Sequence, residues 1–332
     1  LIKIIDNTLS AFDSCLPSKE ELLTFCQLLF TIGVDMIELS IAAFEKMQQL
    51  PDRGKFVLRI EDISQMEDYP DFFRYVCHRQ EIADKEIAVK VITEVRINDI
   101  REINKLRALD SCKELRIVGL DDIICEDFDV VVKDIFKTLP NCKLNLCPEN
   151  SLHCASAIAV QWILNGEKEI TSSFAGCKGN AATEEVLMAL RLSMRHKPTR
   201  DLTVLPEITA LYEKITGSSV SNKKPILGKN IFKVEAGVHA DGLIKNPATY
   251  EAFSPCLVGR KSEIIIGKHS GLKAVKLKIE EKGILLPKDS IIEKILCEIR
   301  KFCTEKRNSL NDSEFIELVN EVIAYEGKQI YS

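Results

Sequence analysis

The chain has 332 residues, 45% of them hydrophobic and 29% charged, with a formal net charge of -5. That is enough apolar material for one large domain plus an appendage, and the acidic balance offers no basic face to nucleic acid or to an anionic membrane. No apolar run approaches the roughly 20 residues that span a bilayer, so a soluble, cytoplasmic protein is expected. Twelve cysteines lie scattered through apolar segments without a C-x-x-C pair, a pattern that predicts reduced, mostly buried thiols.

The first segment, IKIID, reads as a strand. The stretch PSKEELLTFCQLLFTIG follows with apolar residues at helical spacing, Ser18 and Glu21 placed as a capping box and Gly33 as the stop. Short β-branched runs then alternate with amphipathic stretches: DMIEL, KFVLRI, EIAVKVI, ELRIV, KLNLC and EITSS are the remaining candidate strands. This alternation predicts an α/β fold of repeated βα units around a parallel sheet. A complete TIM barrel has eight strands, but only seven are recognisable, so a barrel-derived fold of about seven units is expected, with one unit lost around residues 60 to 85. Glu38 in MIELS, Arg59 in VLRI and Glu94 in VKVITE fall at strand ends, which in such barrels form the active-site face.

Composition changes near residue 196, where HKPTRD and TGSSVSNKKPILGKN gather proline, glycine, serine and charge. The expected organisation is therefore a barrel over 1–195, a linker over 196–230, and a lid with a small, mainly helical subdomain over 231–332. Within the last part, KAVKLKIEEKG, DSIIEKILCEIRKFCTEKR and DSEFIELVNEVIAYEG have helical periodicity, with Asp289 and Asp312 as expected N-caps. No further domain of about 100 residues is expected to follow.

Residues 232 to 271 read FKVEAGVHADGLIKNPATYEAFSPCLVGRKSEIIIGKHSG and hold two of the five histidines. Glycines at 237, 242, 259, 267 and 271 permit tight turns, so His239, Asp241, Tyr250 and His269 can be presented to a ligand by irregular backbone. The elements GVHADG, TYE and GKHSG resemble the segment that follows the barrel in homocitrate synthases and their isopropylmalate and citramalate synthase relatives, most of all the nitrogen-fixation homocitrate synthases.

The resemblance implies a pyruvate-carboxyltransferase-like barrel that condenses acetyl-CoA with a 2-oxo acid. That chemistry requires a divalent metal to polarise the ketone, a cation for developing oxyanion charge, and a base for the acetyl methyl group. The family motif D-x-T-L-R-D-G-x-Q here begins Asp6, Asn7, Thr8, Leu9, Ser10, Ala11, so serine replaces the arginine and alanine the metal-binding aspartate. The H-x-H-N-D stretch reads Cys147, Pro148, Glu149, Asn150, and G-x-G-E-R-x-G-N shrinks to Gly176, Cys177, Lys178, Gly179, Asn180. Cys147 and Glu149 can each ligate a metal, but with the third carboxylate gone no metal is expected on this chain alone. Asn180 is expected to cap the helix after it.

In the family, the post-barrel segment reaches over the active site of a neighbouring subunit, carrying a histidine and a tyrosine that correspond here to His239 and Tyr250. The resemblance therefore implies the omega, or C-terminal-type, subunit of a two-subunit homocitrate synthase. Its catalytic partner would carry the divalent metal and act on acetyl-CoA and 2-oxoglutarate. His239 and Tyr250 would be catalytic, Asp241 would orient the imidazole, and Glu38, Arg59, Glu94 and His269 would contact substrate. Two other readings stay open: a non-catalytic partner that regulates or stabilises such an enzyme, and an autonomous acyltransferase with a site remodelled around Cys147 and Glu149.

Overall fold

A computed structural model describes residues 1–15, 17–78, 85–235 and 237–329. Eight parallel strands close on themselves in sequence order: β1 (Lys3–Asp6), β2 (Met36–Leu39), β3 (Phe56–Arg59), β4 (Tyr75–His78), β5 (Val91–Ile97), β6 (Glu114–Gly119), β7 (Lys143–Pro148) and β8 (Glu169–Ser172). The barrel is therefore complete, and the expectation of about seven units is corrected. The missed strand is β4, YVCH, which lies inside the 60 to 85 stretch and is too short to show a period of its own. A second correction concerns EIAVKVI. Residues Lys85–Lys90 form a short helix and β5 begins at Val91, so Glu94 sits in mid-strand.

Side chains two apart on a strand share a face, which sorts the barrel interior into layers. At the N-terminal end, Arg74 bridges Glu114 (2.5 Å) and Glu169 (2.7 Å), and Lys143 joins both carboxylates at 3.0 Å. Above this ionic floor lies an apolar layer of Ile5, Met36, Val57, Val76 and Ile92. The next inward positions, Glu38, Arg59, Glu94 and Arg116, form the layer at the mouth. Gly119 lets β5 and β6 converge there: its φ is +103°, and a Cβ would stand 2.4 Å from the Ile97 carbonyl oxygen.

The helix Lys19–Ile32 starts on the expected capping box, with the Glu21 amide donating to Ser18 Oγ (3.2 Å) and the Ser18 amide to Glu21 Oε2 (2.8 Å), and stops on Gly33 at φ +111°. Two compact units divide the chain, Leu1–Gly228 and Lys229–Ser332. Residues 196–230, expected as a linker, contain the helix Leu205–Thr216. Its Tyr212 packs on Phe12 and Phe174 at ring-centroid distances of 6.2 and 5.7 Å, so most of this stretch belongs to the barrel unit.

The second unit carries a parallel pair, β9 (Lys233–Val234) and β10 (Glu263–Ile264), and three longer helices, Leu272–Glu281, Asp289–Lys306 and Asp312–Gln329. These bury a core that includes Val275, Ile279, Ile295, Ile299, Phe315 and Val319. The expected caps shift by one residue. Lys288 holds the cap position before Asp289, and Asn311 exchanges reciprocal bonds with Glu314, each at 2.9 Å, leaving Asp312 to pair with Lys282 and Lys278. Among the described residues, no helix is long and apolar enough to cross a membrane.

Candidate functional site

The structure brings together Glu38, Arg59 and Glu94 and adds Arg116, which the sequence reading did not single out. Arg59 donates Nε to Glu38 (2.7 Å) and grips Glu94 with both terminal nitrogens (3.0 and 2.7 Å). From β6, Arg116 Nη1 donates to Glu38 (2.5 Å) and Glu94 (3.3 Å). The Arg116 and Glu38 side chains are both 0% exposed. Burial by itself would raise the Glu38 pKa, but the positive charges of Arg59, Arg116 and Lys178 outweigh it and hold the carboxyl well below its ordinary range. Glu94 is shifted the same way: burial opposes the shift, and Arg59 and Arg116 overcome it.

The rim carries a substitution in space. Ser10, where the family motif has arginine, lies 3.3 Å from Glu38 Oε1 and accepts a 2.6 Å hydrogen bond from Lys178 Nζ. Lys178 comes from the loop after β8, so an ammonium stands beside the residue that replaces a guanidinium. Asp6 is buried, accepts from Thr183 Oγ1 (2.5 Å) and the Thr8 amide (2.9 Å), and is pushed up to about 6, chiefly by desolvation.

The residues at the family's metal positions do not fit a divalent ion. Ala11 has no donor, and Asp13, the nearest carboxylate in that motif, accepts from Ser40 Oγ at 2.5 Å. Cys147 is buried, and Glu149 is engaged by Arg96 at 2.5 Å. Asn180 is not the helix cap it was expected to be. Its backbone bridges Glu149, and the cap position falls at Ala182. Among the described residues, no group of three or more His, Cys, Asp or Glu side chains is placed to hold a metal.

In the second unit, His239 lies exposed on the helix Gly237–Lys245, and its ring centre is 5.7 Å from that of Tyr250. Gly242 makes this possible, because a Cβ there would stand 2.1 Å from the Tyr250 ring. Asp241 does not serve as the imidazole's orienting group. Its carboxylate pairs with Lys245 at 2.9 Å and with Lys273. His269 lines a cavity of about 360 Å³ together with Glu235, Lys268, Cys303, Arg307 and Asn308.

Glu235 also escaped the sequence reading, although it fixes the GKHSG turn. Its Oε1 accepts the His269 amide (3.0 Å), its carbonyl accepts Ser270 Oγ (3.1 Å), and its carboxylate occupies the space a Cβ on Gly267 would need. A cue was available in the sequence, since Glu235 stands two residues before Gly237, at the head of the most family-like string.

Solved structures share the barrel's fold. It resembles the hydroxymethylglutaryl-CoA lyase of Pseudomonas aeruginosa, with a TM-score of 0.52 and 14% identity over 66% of this chain and 94% of that one. The HMG-CoA lyase of Brucella melitensis gives 0.50 and 12% over 65% of this chain and 99% of that one. These likenesses show a TIM-barrel fold, in keeping with the eight closed parallel strands. Residues 226–307 match the family described as homocitrate synthase post-HMGL domain-like. Across 323 residues, 92% of this chain and 90% of the relative, it is 33% identical to the homocitrate synthase omega subunit of Clostridium pasteurianum. The AksA homocitrate synthase of Methanocaldococcus jannaschii is 31% identical over 71% of this chain and 59% of its own length. The chain belongs to the homocitrate synthase family of transferase-type enzymes.

Proposed function

We propose that this chain is a subunit of a two-subunit homocitrate synthase and supplies lid residues in trans to a barrel on another chain. The observation that carries the proposal is an asymmetry. His239 and Tyr250 are paired and solvent-facing, while the positions where the family binds its metal hold alanine, a buried cysteine and a glutamate already engaged by arginine. The likeness to the Clostridium pasteurianum omega subunit over nearly the whole chain supports the same reading.

In this proposal a divalent metal would be held by the partner barrel and would supply polarisation of the ketone of 2-oxoglutarate. His239 takes a proton from the acetyl methyl group as the enolate forms, and the Tyr250 hydroxyl hydrogen-bonds the imidazole or the substrate. Asp241 anchors the lid helix through its two lysines. His269 and the GKHSG turn form a second substrate-facing surface. Glu38, Arg59 and Glu94 act within their own barrel.

The test is to express this chain with candidate catalytic subunits and measure CoA release from acetyl-CoA and 2-oxoglutarate for each protein and for the mixture. Activity that requires both chains and is lost with His239→Ala supports the reading. Full activity of a mixture carrying His239→Ala would instead favour a regulatory or stabilising partner, and turnover by this chain alone would establish an autonomous acyltransferase.

A further inference from the structure

The second unit holds a cavity whose wall carries charges of both signs that do not meet. It measures about 360 Å³, near the lower end of ligand pockets, which span about 300–1,000 Å³. Glu235, Lys268 and Arg307 all line it. Glu235 Oε1 accepts the His269 amide at 3.0 Å, and a carboxylate has lone pairs for further donors. Among the described residues, neither Lys268 nor Arg307 has an ion-pair or hydrogen-bond partner. Two cations and a carboxylate therefore face one space without neutralising one another.

The wall is fixed by the core beneath it. Ser270 Oγ accepts the Gly267 amide (3.0 Å) and donates to the Glu235 carbonyl (3.1 Å), which ties the turn bearing Lys268 to Glu235. The Leu310 amide donates to the Ile266 carbonyl at 2.9 Å, and both residues belong to the buried core, so the segment 307–309 is held beside the same turn. Arg307 ends the helix Asp289–Lys306 in a left-handed conformation (φ 56°), and Thr304, in the last turn of that helix, also lines the cavity. The carbonyls of a last turn lack intrahelical partners and carry the negative end of the helix dipole. The cavity thus offers a cation the Glu235 carboxylate and a helix end, and an anion the two unpaired basic side chains.

We propose that this cavity binds a free α-amino acid, its ammonium group taken by Glu235 and the helix end, its carboxylate by Lys268 and Arg307. A simple anion meets repulsion from the Glu235 carboxylate, and a simple cation from Lys268 and Arg307, whereas a zwitterion satisfies both sets at once. The planar guanidinium fork suits a carboxylate in particular. Thr304, Asn308 and Ser309 add hydroxyl and amide groups to the lining, which favours a small or polar side chain. The site lies wholly within Lys229–Ser332 and does not depend on the trans-lid reading.

Calorimetric titration of the full chain with alanine, serine, glutamate and lysine tests it, with propionate and propylamine as the two half-ligands. Saturable binding of at least one amino acid is expected, with each half-ligand weaker by roughly tenfold or more, because it forfeits charge-assisted hydrogen bonds. Lys268→Met and Arg307→Met should each weaken binding by about tenfold, and Lys268→Arg should retain it. Glu235→Gln, which keeps an acceptor for the His269 amide, should weaken it as well. Thermal melts confirm that the variants fold. Binding of none of the four amino acids, a half-ligand bound as tightly as the amino acid, or unchanged affinity in both methionine variants would overturn the proposal.

Discussion

Glu38→Gln probes the physics of the mouth with the smallest change of shape. Glu38 is 0% exposed and accepts from Arg59 at 2.7 Å and Arg116 at 2.5 Å, so the amide would leave two buried or half-buried guanidinium groups sharing Glu94. Removing one partner of a buried pair typically costs about 3–5 kcal/mol. The amide oxygen still accepts one bond, which favours the lower end, about 3 kcal/mol. For a unit of this size that corresponds to a drop in Tm of roughly 6–12 °C. The pH dependence carries its own sign. The folded pKa of Glu38 is depressed below its ordinary value of 4.5, so its stabilisation is fully present above that value and is lost only as pH falls through the lower folded one. Urea denaturation of both proteins should give a constant gap from about pH 8 down to about pH 5, narrowing only in stronger acid. A loss under about 1 kcal/mol, or a gap that closes by pH 6, would refute the claim that these charges are coupled at low dielectric.

Glu184 shows the opposite behaviour. It is buried and raised from 4.5 to about 7, chiefly by desolvation, so stability should fall as pH rises from about 4.5 to about 7. Glu184→Gln, which can still accept the Ala175 amide, should therefore be stabilising by up to about 3 kcal/mol at pH 8 and nearly neutral at pH 5, measured by urea denaturation. Gly242→Ala should displace Tyr250 at a stability loss of about 1–3 kcal/mol, and it should reduce the CoA-release rate of the two-subunit mixture as severely as Tyr250→Ala does. For His239→Ala, a fall of about 100-fold or more in kcat with little change in KM is expected of a proton-transfer group. EDTA should leave the Tm of this chain alone unchanged while abolishing CoA release by the mixture, and calorimetry beside the activity assay reads both.

The sequence revealed what repeats and what matches a motif. Strong β-branched runs and the Ser18–Glu21 capping box were legible because their signals are local. β4 was not, because its four residues are held by pairing to β3 and β5 rather than by a pattern of their own. The helix Leu205–Thr216 was obscured by the proline, glycine and serine around it, although Pro206 sits in its first turn, where that residue is well tolerated.

At the site, the losses at positions 10 and 11 could be read directly, but their compensation could not. Lys178 and Ser10 are 168 residues apart in sequence, and what joins them is the closure of β8 onto β1 together with a loop in an uncommon backbone conformation. Arg116 was equally hidden, since ELRIV reads as an ordinary buried strand until its register against β5 places the guanidinium between two carboxylates. A charge deleted from a motif and a charge moved to another loop look the same in one dimension. They differ at the mouth of the barrel, where Lys178 stands against Ser10 and its charge helps to hold the Glu38 carboxyl below its ordinary range.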